Sequence, residues 1–194
     1  MAQARSKSSN AAGFSLIEVV VAMAILTVVS LGVAQLFAAS TRVNRIARGQ
    51  TSTTMLAEQK IEQIRSMTWG FDSTGEGLPV SDTTSNLTIY PTDQTGTGMN
   101  PTPADSLEQN TTGCVDFLDA NGAWVGTGGT PPGSAVYIRR WSIQPLPTNP
   151  NNTLVIQVLV TPIANEAARQ TTGSARVRMP GDTLLTTVKT RKSA

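Results

Sequence analysis

The chain has 194 residues, 14% charged and 5% aromatic, with 16 glycines and 11 prolines, a polar, turn-rich composition of the size of one domain plus a stalk. It has no histidine and a single cysteine, Cys114, which removes the commonest general base, the commonest metal ligand and any intrachain disulfide. A formal net charge of +2 does not imply general affinity for nucleic acid.

Residues 1–13, Met-Ala-Gln-Ala-Arg-Ser-Lys-Ser-Ser-Asn-Ala-Ala-Gly, are short, basic and without apolar periodicity. Arg5 and Lys7 favour keeping this end in the cytoplasm. From Phe14 to Ala39 the chain is apolar, and only Ser15, Glu18, Thr27, Ser30 and Gln35 are distinctly polar. At ~1.5 Å per residue a helix over that run is about 39 Å long, more than a bilayer core of ~30 Å requires. Glu18 is the anomaly, because a carboxylate at the centre of a membrane helix costs roughly 2.5–3.5 kcal/mol. It lies four residues after Phe14. Cleavage between Gly13 and Phe14 would place a new α-ammonium one helical turn away, where the two charges could neutralise each other within one chain or between neighbours. A tolerated acid near a helix end is the alternative. Another reading takes the run as an ordinary secretory signal cut at Ala38-Ala39-Ser40, but the run is too long for one and Glu18 would disturb it.

Gly13-Phe14-Ser15-Leu16-Ile17-Glu18 after a basic leader and before an apolar helix resembles the prepilin signature of type IV pilins and type II secretion pseudopilins. The resemblance covers Gly13 to about Ser40. It implies cleavage after Gly13 by a prepilin peptidase, N-methylation of Phe14, and pairing of Glu18 with a neighbouring subunit's N-terminus during assembly. Val19 to Leu26, then Leu31 to Leu36, look most like minor pilins of the PilV type. Many major pilins bend this helix with a proline; this chain has none there. Loss of the leader takes Arg5 and Lys7 away, so 15 basic residues become 13, against 13 acidic. The resemblance also implies a subunit held in the inner membrane with its N-terminus cytoplasmic, in contact with lipid, an assembly platform and other pilins. Charge alone does not give this orientation, since Arg42, Arg45 and Arg48 follow the run directly.

Residues 41–67 are expected to continue the helix, with Val43, Ile46, Gln50, Thr53, Ala57, Ile61, Ile64 and Met67 at intervals of about 3 and 4 forming one stripe. Glu62 and Arg65 are placed to pair on the wet side. The three arginines read as a solvated or headgroup face; phosphate contact is disfavoured because no aromatic residue interleaves them. Gly70 is expected to cap the helix. Residues 70–113 read as loop, with one strand at Ser85–Tyr90 and the loosest piece at Thr95–Pro103.

Asp119-Ala-Asn-Gly122 between two apolar runs predicts a hairpin. Asp116, Asp119 and Asn121 could also be read as calcium ligands, but the spacing does not match an EF-hand loop. Residues 135–144 and 153–161 are strand candidates, the second interior with one face on the long helix. A last hairpin is expected from 174–179 and 183–190 around Pro180-Gly181-Asp182, with Arg176 and Arg178 on its outer face. Cys114 is either a small buried apolar residue or the site of an intermolecular link.

The expected organisation is a leader at 1–13, a membrane and filament-core helix at 14–39, an amphipathic continuation at 40–68 and a β-rich head at 69–194. The fold class is α+β, with a mostly antiparallel sheet packed on the helix's second half. No nucleophile elbow, phosphate loop, cysteine pair or metal cluster is present in the sequence, so neither catalysis nor a cofactor is expected. The favoured role is a minor pilin. A type II secretion pseudopilin is the alternative in the same class. A binding module for adhesion or DNA uptake is the alternative in another, with the loop at 70–113 and Arg139, Arg140, Arg176 and Arg178 as candidate contact surface.

Overall fold

A computed structural model of the chain describes residues 13–74, 76–172 and 178–191. It has a long N-terminal helix followed by a head built on an antiparallel sheet. The helix, α1, spans Leu16–Ser66. The chain divides into two compact units, one ending at Arg45 and the other beginning at Ile46.

In the first unit α1 starts where the Ser15 carbonyl accepts the backbone N–H groups of Glu18 and Val19, at 3.0 and 3.2 Å. The large apolar side chains are exposed: Phe14 by 83%, Leu36 by 71% and Leu26 by 66%. Two threonine hydroxyls are satisfied by the helix's own backbone, an arrangement lipid tolerates. The Thr27 hydroxyl donates to the Met23 carbonyl at 2.8 Å, and that of Thr41 to the Phe37 carbonyl at 2.9 Å. By length and composition this helix can cross a membrane.

In the second unit Thr53, Ala57, Lys60, Ile61 and Ile64 of α1 are buried. The stripe begins at Thr53: Val43 is exposed at 66% and Gln50 is also exposed, so the expected earlier positions have no core to face. Met67 follows α1, and two short strands, β1 (Trp69–Phe71) and β2 (Pro79–Ser81), form an antiparallel ribbon. Gly70 is therefore a buried strand residue paired with Val80, and not a helix cap.

The main sheet has five antiparallel strands in the order β4-β3-β5-β6-β7. These are β3 (Val115–Leu118), β4 (Trp124–Gly126), β5 (Tyr137–Pro145), β6 (Thr153–Pro162) and β7 (Thr183–Thr190). The β3–β4 hairpin turns where expected. Asp119 Oδ1 accepts the N–H groups of Asn121 and Ala123, and Gly122 takes a positive φ of 81°. β6 is interior and pairs with β5 and β7 along its length. Alternation along β5 and β6 sends Trp141, Ile143, Leu154, Ile156, Val158 and Val160 to one face, where they form the core with Ala57, Ile61 and Ile64. Each such side chain stabilises by about 1.5–3 kcal/mol on burial. On the other face Val115, Phe117 and Ile138 make a smaller cluster with Ile163.

Three further expectations are corrected. Ser85–Tyr90 is not a strand: Asn86 Oδ1 accepts both the N–H and the hydroxyl of Thr88, bending the chain into a turn that buries Leu87. Thr95–Pro103 is not loose. The N–H groups of Gly96, Gly98 and Met99 donate to the carbonyls of Thr84, Ser85 and Asp82 at 2.7–2.9 Å, and Met99 is fully buried. β7 pairs with β6 rather than with the segment before it, of which residues 174–177 lie outside the described residues and Arg178 and Met179 are not in a strand. The preceding segment Ile163–Thr172 is a helix, α2, which was not anticipated. Its signal was local: Pro162 precedes a run of Ala, Glu, Arg and Gln, all strong helix formers apart from Asn165.

Candidate functional site

Gly13 and Phe14 precede the first helical residue, and both are exposed. A Cβ built on Gly13 would meet nothing within 4 Å. Glu18 lies in the first turn of α1, exposed, where a carboxylate interacts favourably with the helix dipole. It shares an apolar surface with Ile17, Val21, Ala22 and Ile25. The arrangement places one acid in the first turn of a helix whose following residues to Phe37 are mostly apolar. The expected leader, apart from Gly13, lies outside the described residues.

The candidate contact surface does not hold together. Arg139 and Arg140 are neighbours on β5, so their side chains leave opposite faces of the sheet, and both are buried. Arg139 makes a bidentate pair with Asp116: Nε to Oδ1 at 2.9 Å and Nη2 to Oδ2 at 2.8 Å. Arg140 Nη2 pairs with Glu166 on α2 at 2.9 Å, and its Nε donates to Asn110. Glu166 also pairs with Arg169, which pairs with Asp182, so this second network ties α2 to β5 and to the start of β7. Both arginines serve the fold. Arg178 is exposed, and Arg176 lies outside the described residues.

Sequence reasoning missed Lys60. It sits on the buried side of α1, 1% exposed, with Nζ 2.8 Å from Asp116 Oδ2, 2.6 Å from the Leu87 carbonyl and 3.0 Å from Gln63 Oε1. It also lies 4.3 Å from the Trp141 ring. Burial pushes the Lys60 ammonium down to about 8, against the pull of Asp116 in the other direction. Asp116, which the sequence also offers as a calcium ligand, is the shared counter-ion of Lys60 and Arg139. The only hint in the sequence was position: Lys60 falls between Ala57 and Ile61 on the stripe. The Glu62–Arg65 pair forms as expected on the exposed side, at 2.9 Å. Cys114 is buried, and burial pushes its thiol up to about 11.

The family model described as the prokaryotic N-terminal methylation motif matches residues 8–34, which brackets Gly13, Phe14 and Glu18 and runs into the apolar segment. The chain thus carries a type IV pilin-like N-terminal signal, the substrate signal of prepilin peptidase, on a helix able to anchor it in a membrane. No curated protein and no solved structure matches the chain.

Proposed function

We propose that this chain is a minor type IV pilin of PilV-like character. Prepilin peptidase cuts after Gly13, Phe14 is N-methylated, and the subunit waits in the inner membrane as a single-pass protein with its N-terminus cytoplasmic. It then leaves lipid for a filament of packed helices, where Glu18 meets a neighbour's α-ammonium. The role is structural, without catalysis or cofactor. The observation that carries the reading is the methylation signal at residues 8–34 on a helix whose large apolar side chains from Leu16 to Phe37 are exposed. An exposed apolar surface of that extent needs lipid or other helices around it.

The test is the intact mass of the protein from membranes, with and without co-expressed prepilin peptidase, together with Glu18→Ala examined in sheared filaments. The expected result is a mass for residues 14–194 plus one methyl group, and loss of Glu18→Ala from filaments. Retention of the leader, or a cut near Ala39, overturns the reading. Recovery in a secretion pseudopilus rather than a retractable pilus would move the chain to the neighbouring pseudopilin class.

A further inference from the structure

In the second unit, a cleft of about 570 Å³ opens between α1, the loop at 89–92 and the β3–β4 hairpin. That volume lies within the range of small-molecule sites. Its floor is the buried Lys60–Asp116–Arg139 cluster, two cations sharing one carboxylate. Among the described residues no second acid lines the cleft, so its two cations face one carboxylate. The cations also set the rim. Lys60 Nζ holds Gln63 by Oε1 at 3.0 Å, and Arg139 Nη1 holds Gln59 by Oε1 at 3.3 Å. With both amide oxygens engaged inward, the Gln59 amide nitrogen and the second N–H of Gln63 are the donors left to meet a ligand. Gln63 Nε2 donates to Thr92 Oγ1 at 3.1 Å. Each amide thus relays the positive charge outward as N–H donors, an arrangement that suits an acceptor and most of all an anion.

The opposite wall is aromatic. Trp124 Nε1 donates to the Thr88 carbonyl at 2.7 Å, which fixes the indole, and Tyr90 stands 78% exposed. A tethered indole and an exposed phenol ring lining one cleft give a ligand flat apolar surface at little entropic cost. We infer that this cleft binds an acidic saccharide, its carboxylate taken by the Gln59 and Gln63 amides over the cationic floor and its sugar face laid on Trp124 and Tyr90. The site is separate from the N-terminal processing signal and does not depend on it.

The full-length chain in neutral detergent is titrated by calorimetry with D-glucuronic acid and N-acetylneuraminic acid, and with glucose and acetate as partial probes. Saturable binding is expected for at least one acidic sugar. Glucose lacks the charge and acetate lacks the stacking face, so each should bind at least about tenfold more weakly. Gln59→Ala and Tyr90→Ala, both at exposed positions, should each weaken the acidic sugar about tenfold while circular dichroism and the melting temperature stay unchanged. Absence of saturable binding to either acid by a folded protein overturns the inference. So does equal binding of glucose and glucuronic acid, or affinity that both substitutions leave intact.

Discussion

Lys60 makes the stability of the head depend on pH in a direction opposite to that of most salt-bridged lysines. The ammonium ordinarily releases its proton near 10.5 and, buried here, near 8. Between those values the unfolded chain holds a proton that the folded chain has lost, so stability rises with pH across that window. At ~1.36 kcal/mol for each pH unit, keeping Lys60 protonated in the fold costs about 3 kcal/mol at pH 7. About 1 kcal/mol of this is recovered between pH 8 and pH 9, from the ratio of proton-binding terms in the two states. With a urea dependence of ~1–3 kcal/mol per molar, the unfolding midpoint moves up by roughly 0.3–1 M. Cys114 acts the other way above pH 9, since its thiol ordinarily ionises near 9 and is held to about 11 by burial. The measurement therefore uses a Cys114→Ala background, with urea unfolding followed by circular dichroism at pH 7, 8 and 9. Lys60→Met should flatten the profile. A midpoint that does not rise, or one that rises equally in Lys60→Met, refutes the assignment of a desolvated ammonium to this position.

Asp116→Asn leaves two buried cations without their counter-ion and should cost about 3–5 kcal/mol, well beyond the loss from Lys60→Met, as read by urea unfolding at pH 7. Gly96→Ala should destabilise by about 1–3 kcal/mol, because a Cβ there would stand 2.3 Å from Asn86 Cα. Gly129→Ala, which would meet nothing within 4 Å, serves as the neutral control. A thiol alkylating reagent at pH 8 should modify Cys114 about a hundredfold more slowly in the folded protein than in urea, since the thiolate fraction falls with its raised pKa. Equal rates would place the thiol at the surface.

The parts of this protein set by neighbours in the chain were legible from the sequence. The apolar run from Phe14 and its acid at Glu18 are local facts, and a helix satisfies its own backbone whatever surrounds it. The Asp119–Gly122 turn and the strands at 137–145 and 153–162 follow from turn chemistry and β-branched runs of the same local kind. The α2 helix carries a local signal too, in its alanines, glutamate and arginine.

What only tertiary structure decided is the fate of the charges and of the polar loop. Strand alternation sends Arg139 and Arg140 to opposite faces of β5, but only the fold decides that each meets an acid 23 or 26 residues away, Asp116 or Glu166. Lys60 on a helix stripe reads as a surface residue until Asp116, the Leu87 carbonyl and Trp141 close over it. The segment from Asp82 to Pro103 has the composition of a loose loop, but its glycines give up their N–H groups to carbonyls ten or more residues away, and Met99 is pulled into the core. Such contacts join residues far apart in the chain, and their energy depends on burial, which local composition does not specify. Burial turns an ordinary charge into a paired one and a polar loop into part of the core.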